Sequence, residues 1–263
     1  MEWSKAKNIL ILIYVMVNIF LSMVLGTLYM KRRISEDTLN NTIIALKNRG
    51  VLVNCKLSRY NKETGTLSYE KFTIDRKRVL DKIMGKSVIE GQNEYKTKNK
   101  EIIFLDDNKL VYKDYTWHRG RDYENDVIRY ANSVLQKCNI EFEGEIDERD
   151  VNRVTIYEKY EGFCVFGNYV KIDIDGDTVS MEISYRKVRA IDTKKRKIMP
   201  IHQVLLKNIV NMEGEIITDI KFGFRESILE DNIKELDDIP VWRVRFNNRD
   251  DIFYKAYTGK LVK

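Results

Sequence analysis

One uncharged stretch near the amino terminus constrains this chain more than any other feature. Residues 9–29 contain no charged side chain. As an α-helix, 21 residues rise about 31 Å, close to the thickness of the hydrocarbon core of a bilayer. Lys5 and Lys7 precede the stretch, and Lys31, Arg32 and Arg33 follow it. The pattern predicts a transmembrane helix over residues 8–30, preceded by a cytoplasmic tail of residues 1–7.

The apolar stretch fits an uncleaved signal anchor better than a cleaved signal peptide. It is longer than the roughly 7–15 residues of a signal-peptide core, and no small-x-small cleavage site precedes Lys31. The first cysteine is Cys55, so no lipoprotein cysteine follows the helix. Positive charge is nearly balanced across the helix, but short tails usually stay inside while long domains can translocate. We therefore expect a single-pass protein of the cell membrane whose bulk is extracytoplasmic.

The net charge of +6 is concentrated beside this helix. The chain has 46 Lys and Arg against 40 Asp and Glu, of which residues 1–33 hold five and one. The remaining 41 and 39 leave the rest of the chain at only +2, and the basic excess beside the helix can meet anionic lipid head groups. The basic run Lys194–Lys197 is short, lacks interleaved aromatic residues and is typical of a solvated loop. These observations argue against a nucleic-acid partner.

The pattern of apolar residues predicts an α+β fold in two passes. Ser35 is a typical N-cap for a helix that ends before Gly50. Alternating apolar residues and turn signals then predict strands, hairpins and helices along the rest of the chain. The first pass comprises a helix over 35–49, strands at 51–57 and 67–74, a helix at 76–84 and a hairpin over 101–115 that turns at Asp107-Asn108.

The second pass repeats the order of element types. It comprises a helix over 122–137, strands at 139–142, 153–160 and 162–166, a hairpin over 169–185 that turns at Asp175-Gly176, a helix from Pro200, a strand at 215–222 and a closing hairpin over 240–259. The sequence therefore predicts an N-terminal transmembrane helix followed by two related lobes of antiparallel sheet packed with helices. We expect the lobes, both extracytoplasmic, to span residues 34–118 and 119–263.

Possible catalytic and metal-binding patterns are incomplete. Asp173, Asp175 and Asp177 resemble the start of an EF-hand loop, but Thr178 and Ser184 stand where that loop needs Gly and Glu. A hairpin turn explains the same aspartates. The two histidines, His118 and His202, have no neighbour at metal-ligand spacing.

Three cysteines also lack the spacing of a zinc site or a disulfide framework. Buried free thiols are favoured for Cys55, Cys138 and Cys164, and one bridge remains an alternative outside the cell. The segment around His118 is either an exposed aromatic–basic binding edge or, as we favour, a junction packed between lobes. We predict no enzyme activity, no cofactor, no metal and no small-molecule substrate.

The membrane helix carries a row of small and polar residues. Asn18, Ser22 and Gly26 follow one another at four-residue spacing, with Tyr14 one step earlier. Small residues at this spacing let two membrane helices approach closely, and an Asn amide can bond across such a contact. Ser and Gly are also common in membrane helices for no specific reason. We predict that this row is a transmembrane interface with a partner.

The beginning of the chain resembles a known family. Met1-Glu-Trp-Ser-Lys-Ala-Lys-Asn-Ile9, followed by one membrane helix and a domain of this size, is similar to the opening of YycI-type proteins. These are regulators of an essential two-component system in Gram-positive bacteria. The segments Pro240-Val-Trp-Arg-Val244 and Ala256-Tyr-Thr-Gly259 are similar to the close of a PepSY-like module.

The resemblance implies a non-enzymatic regulator without catalytic residues. It implies binding to a sensor histidine kinase that controls cell-wall metabolism, together with a YycH-like protein, through the membrane helix and the outer domain. Two alternatives remain at this point: a PepSY-like inhibitor of an exported peptidase, and an enzyme that acts on wall polymers. The enzyme would need a clustered acid–base site.

Overall fold

A computed structural model describes residues 2–31, 34–85, 89–117, 123–149, 152–226 and 237–262. The chain begins with one long helix, α1 (Glu2–Lys31), within which Ala6–Gly26 is long and apolar enough to cross a membrane. Its span packs against nothing else in the described part of the chain. A second helix, α2 (Glu36–Asn48), follows almost at once, and the Ser35 side chain caps it by accepting a hydrogen bond from the Thr38 amide at 3.2 Å.

The remaining helices are short. They are α3 (Arg76–Val79), which continues as a π-helical turn over Leu80–Met84, α4 (Tyr123–Lys137) and α5 (Ile201–Asn208). The strands are β1 (Leu52–Val53), β2 (Leu67–Tyr69), β3 (Ile89–Glu90), β4 (Glu94–Lys96), β5 (Lys100–Asp106), β6 (Lys109–Asp114), β7 (Gly144–Arg149), β8 (Arg153–Tyr160), β9 (Phe163–Asp175), β10 (Thr178–Ser184), β11 (Val188–Ile191), β12 (Ile216–Arg225), β13 (Ile239–Phe246) and β14 (Ile252–Lys255).

Twelve strands form one mostly antiparallel sheet in the order β14-β13-β12-β9-β10-β6-β5-β4-β3. Off this order, β1 pairs with β12, β8 pairs with β9, and β7 pairs with β8. Strand β9 has 13 residues and serves both halves of the sheet. Its beginning pairs in parallel with β12 through Cys164 and Val165, and its later part pairs with β10 from Tyr169 to Asp175. Strands β2 and β11 form a separate two-stranded sheet.

The parallel contact between β9 and β12 requires a glycine. A Cβ placed on Gly223 would lie 2.2 Å from the main-chain oxygen of Cys164. Backbone atoms cannot move aside as the end of a flexible side chain can, so any larger residue would push the two strands apart. The attachment of β12 to β9 therefore depends on the absence of a side chain at position 223.

Two large apolar cores lie on either side of this attachment. The first core gathers the buried faces of the π-helical turn, α4 and strands β5, β6, β8, β9 and β10, including Val134, Tyr112 and Met181. The second core gathers α2, α5, β12, β13 and β14, including Leu46 and Trp242. Each core contains residues from both sides of the predicted boundary at residue 118, and the division into two lobes at that boundary stays a prediction.

The predicted α+β class is confirmed, and so is the order of the main elements. The hairpin of β9 and β10 turns at Gly176, whose φ of +58° lies in the left-handed region. The predicted strand at 139–142 is wrong: Asn139 has a φ of +59° and ends the last turn of α4, and the strand begins only at Gly144. Strands β3, β4 and β11 are absent from the prediction because each has only two to four residues, too few to show a period-2 pattern.

The predicted strands at 51–57 and 67–74 are shorter than their apolar patterns indicate. Only Leu52–Val53 and Leu67–Tyr69 pair as strands. Leu57 and Ile74 are nevertheless buried in the second and first cores. Their apolar character serves packing by loop residues, which periodicity does not distinguish from a strand.

Helix α2 offers a direct test of the second core. Leu46 is fully buried and Ile44, two residues earlier, is 56% exposed. Because truncating a buried Leu removes apolar contacts and leaves a cavity, Leu46→Ala should lower the free energy of unfolding by about 2–5 kcal/mol. Ile44→Ala should change it by about 1 kcal/mol or less. Urea unfolding of the full chain in detergent, followed by tryptophan fluorescence, measures both. Equal losses would contradict the assigned faces of α2.

Candidate functional site

The row of residues predicted on the membrane helix lies on one surface of α1. Asn18 and Ser22 are exposed, and a Cβ placed on Gly26 would meet no described atom within 4 Å. The turn of helix around Asn18 forms a shallow groove, lined by Tyr14, Val15, Asn18, Ile19, Ser22 and Met23. The helix periodicity thus brings the three predicted residues together, one turn apart, and leaves their surface open.

The Asn18 amide is partly satisfied within its own helix. Its Nδ2 donates to the main-chain oxygen of Tyr14 at 2.8 Å. An Asn side chain has two amide hydrogens and a carbonyl oxygen. One hydrogen and the oxygen can therefore serve a neighbouring helix, while the bond to Tyr14 lowers the cost of placing the amide in hydrocarbon.

A polar junction lies where β9 passes from one half of the sheet to the other. The register of β8 and β9 jumps from Tyr157–Tyr169 to Glu158–Val165, which leaves residues 166–168 of β9 as a bulge. The side chain of Asn168, fully buried in this bulge, takes the place of a strand: its Nδ2 donates to the Arg186 oxygen at 2.6 Å, and its Oδ1 accepts from the Arg186 amide at 2.9 Å.

The same bulge holds a buried acid. Glu158 is 8% exposed, and Asn168 Nδ2 also donates a short hydrogen bond to its carboxyl. Burial raises the pKa of Glu158 to about 7, and the hydrogen bond from Asn168 offsets only part of that effect. This carboxyl therefore titrates near neutral pH at the point where the two halves of the sheet meet.

Arg186 extends the junction to the start of β13 and to β2. Its Nη2 donates to both carboxylate oxygens of Asp238 at 2.7 and 2.8 Å, and the guanidinium lies 4.0 Å from the centre of the Tyr69 ring. The Tyr69 hydroxyl donates to Asp238 at 2.6 Å. Asp238 is fully buried, so these donors replace its lost hydration.

A second charged cluster crosses the other half of the sheet. Asp147 of β7, 1% exposed, accepts from Arg243 at 2.5 and 2.8 Å and from Arg245 at 2.8 Å. Lys221 of β12 donates to the same carboxylate at 2.8 Å. Burial favours the protonated acid, but hydrogen bonds from Arg243 and Lys221 outweigh it and hold the pKa of Asp147 well below its usual range. The cluster joins β7 to β12 and β13, which are not its sheet neighbours.

Only part of this arrangement of charged groups can be predicted from the sequence. Charged residues alternate with apolar ones in both Asp219–Lys221 and Arg243–Arg245, which indicates one charged face on each strand. Nothing in the sequence shows that Asp147 contacts both strands, since Asp147 is more than 70 residues away from Lys221 along the chain. The role of Asn168 cannot be predicted either, because no residue pattern in the sequence marks a bulge of three residues.

The candidate metal and thiol residues are dispersed. Asp175 flanks the hairpin turn and Asp173 pairs with Arg153 at 2.7 Å. Within the described residues, no group of three or more His, Cys, Asp or Glu side chains could hold a metal ion. His118 lies outside the described residues. His202 lies on α5, where burial lowers its pKa.

The three cysteines are free in this structure. Burial raises the pKa of Cys55 to about 11 and that of Cys138 to about 12, and it also raises the pKa of Cys164. A thiol with such a pKa is protonated at neutral pH and is a poor nucleophile. These cysteines therefore act as small apolar residues of the cores.

Comparison with known proteins identifies the family. The model of the family described as YycI protein matches residues 31–258, which is most of the chain and the whole described region beyond α1 up to the last few residues. The chain belongs to the YycI family. The resemblance seen at residues 1–9 is thus confirmed by the independent region that follows the helix. YycI proteins are two-component system regulators. No curated protein matches the chain.

The family match does not confirm the PepSY-like resemblance of the ending. The closing hairpin of β13 and β14 exists, with Val241 opposite Lys255 and Val244 opposite Ile252. The similarity of Pro240–Val244 and Ala256–Gly259 to a PepSY-like module is not confirmed by the family match. The hairpin belongs instead to the second core, through Trp242 and Tyr254.

The buried acid of the junction predicts a pH-dependent stability. A carboxyl with a folded pKa of about 7 and an ordinary unfolded pKa of 4.5 binds its proton more tightly when folded. Its contribution is fully present below pH 4.5 and is lost as the pH rises through about 7, by on the order of 3 kcal/mol. Glu158→Gln should remove this part of the decrease in the free energy of unfolding with rising pH. Urea unfolding between pH 4.5 and 8 measures the difference between parent and variant.

The control for this experiment is Glu161→Gln, at the exposed turn that follows β8. The free energy of unfolding of this variant should depend on pH in the same way as that of the parent. If Glu158→Gln and Glu161→Gln gave the same pH profile, the carboxyl of Glu158 would not be the titrating group of the junction.

Proposed function

We propose that this YycI-family protein is a membrane-anchored, non-enzymatic regulator that binds a sensor histidine kinase and changes the balance between its signalling states. The family match over residues 31–258 carries the proposal. Helix α1, with its apolar span Ala6–Gly26, supplies the anchor. The domain beyond it is extracytoplasmic, and the kinase belongs to a two-component system that controls cell-wall metabolism in a Gram-positive bacterium.

The membrane helix makes one of two contacts with the kinase. Asn18, Ser22 and Gly26 present an open surface on which a partner helix can approach closely. Polar contacts between membrane helices contribute about 0.6–2 kcal/mol. Moving a two-state equilibrium from 1:99 to 99:1 requires about 5.5 kcal/mol of differential binding. The outer domain must therefore supply the larger part, alone or together with a YycH-like protein.

The closing hairpin gives little support to the alternative of a peptidase inhibitor. Such an inhibitor would offer an open strand edge to its target. Here the outer edge of β14 is occupied: the amide of Lys255 donates to Lys260 at 2.7 Å, and the amide of Val262 donates to Phe253 at 2.8 Å. A regulator that binds through its helix and outer surface fits this arrangement better.

The membrane contact can be tested inside a bilayer. Asn18→Leu combined with Gly26→Ile removes the amide and fills the open surface, so association with the kinase in a bilayer two-hybrid assay should fall by roughly 3- to 30-fold. Met16→Leu combined with Phe20→Leu is the matched control, because these residues face roughly the opposite side of α1. Unchanged association of the first variant would exclude the helix surface as an interface.

The regulatory role can be tested in cells. Deletion of the gene should change expression of a reporter driven by the response regulator of the same two-component system, because the kinase loses a ligand that favours one state. Expression of the full chain should restore it, and the Asn18→Leu, Gly26→Ile variant should restore it only in part. Identical reporter expression with and without the protein would contradict the proposal.

A further inference from the structure

Two basic segments far apart in sequence lie side by side in the domain that follows α1. The loop 54–62 contains Lys56, Arg59 and Lys62 and no acidic residue, and the run Lys194–Lys197 contains four cations. All seven side chains are exposed. An antiparallel bridge joins the segments: Thr64 and Arg196 exchange main-chain hydrogen bonds of 3.0 and 2.9 Å. We call these seven cations the basic surface.

The first segment lies at the start of the outer domain. Arg59 Nη2 is 3.2 Å from the carboxylate of Glu36, the first residue of α2. The chain has thus travelled along α2, reversed at β1 and returned to the first turn of the helix. Its return places Arg59 beside Glu36, which is five residues after the last residue of α1.

The connection between the membrane and this point is short. Helix α1 continues to Lys31, about 8 Å beyond Gly26, which is close to the depth of the head-group layer. From Lys31 to the cap residue Ser35 an extended chain spans at most about 14 Å. Ile34 is already buried in the second core, which holds the domain close to the end of the helix.

We propose that the basic surface binds the anionic lipid head groups of the membrane in which the helix is anchored. The seven exposed cations outnumber the nearby acids, which are Glu36, Glu63, Asp192 and Asp237. A juxtamembrane cluster of this size is attracted to an anionic leaflet, and the attraction decays within a Debye length. The inference rests on the proposed anchor. Its effect is to fix the orientation of the outer domain, and hence the face it presents to the kinase.

Lysine reactivity in nanodiscs tests the proposal on the full chain. The protein is inserted into nanodiscs of phosphatidylcholine alone or with phosphatidylglycerol, and an amine-reactive ester is followed residue by residue by mass spectrometry. Lys56, Lys62, Lys194, Lys195 and Lys197 should react roughly five-fold more slowly with phosphatidylglycerol present. In 1 M NaCl, where the Debye length is about 3 Å, the difference should vanish. Lys82 and Lys98, also exposed, are internal controls that should not change.

A variant pair separates lipid contact from folding. Lys194→Gln, Lys195→Gln and Lys197→Gln together should reduce the protection of Lys56 and Lys62. The matched control, with Lys82→Gln, Lys98→Gln and Lys137→Gln, removes the same charge from exposed positions of the other half and should retain it.

The outcomes distinguish the two proposals. If the chain is not retained in nanodiscs, the anchor fails and the lipid contact fails with it. If the chain is retained but the lysines of the basic surface react equally in both lipids, only the contact with anionic lipid is overturned. This holds whether the lysines are unprotected in both lipids or protected in both, because in the second case neutral lipid would suffice.

Discussion

The fold depends on one strand that serves two halves of the sheet. Strand β9 binds β12 at its start and β10 along its later part, on the same edge. Two strands cannot share one edge at the same residues, so the edge must be interrupted between Val165 and Tyr169. The bulge at 166–168 makes the interruption, and the buried Asn168 side chain satisfies the main chain of Arg186 there. The bulge thus lies between the residues of β9 that pair with β12 and those that pair with β10.

Charged groups determine how this junction is maintained. A buried ion pair contributes little net stability compared with a well-packed apolar pair, but loss of one partner leaves an uncompensated charge that costs several kcal/mol. For the pairs Arg186–Asp238 and Asp147–Arg243, we therefore expect the loss of one partner to cost more free energy than the intact pair contributes. Glu158 differs because it has no cationic partner among its strongest interactions, and its raised pKa follows from burial.

The local elements could be predicted from the sequence, and the junction could not. Ser35, Gly85 and Gly176 are signals that act within a few residues. As the sequence predicts, Ser35 begins a helix, Gly85 ends one, and Gly176 lies at the turn of a hairpin. The parallel pairing of β1 with β12 joins Leu52 to Ile216, and no local pattern encodes a partner at that separation. The prediction also divides β9 into two strands at Phe166, because the bulge interrupts the alternation that periodicity detects.

The same distinction applies to the candidate site. Four-residue spacing suffices to place Asn18, Ser22 and Gly26 on one surface, because a single helix determines their geometry. The basic run Lys194–Lys197, read alone, is typical of a solvated loop. The bridge between Thr64 and Arg196, which are 132 residues apart along the chain, brings this run beside the basic loop 54–62. A charge cluster that is made by tertiary structure is therefore invisible to composition and to local charge counts.

Coupling between the membrane helix and the outer domain follows from the length of their connection. Three residues separate Lys31 from the cap residue Ser35, and one of them, Ile34, is buried in the second core. A flexible linker would let α1 rotate without consequence for the domain. If the proposed partner helix rotated or tilted α1, the motion would reach α2 within a few residues along the chain, and Leu39 and Leu46 of α2 pack in the second core. Because cores resist continuous deformation, such a motion moves the domain as a body. Under the proposed function, contacts made in the membrane and contacts made outside it would bias the same equilibrium of the kinase, and their free energies would add.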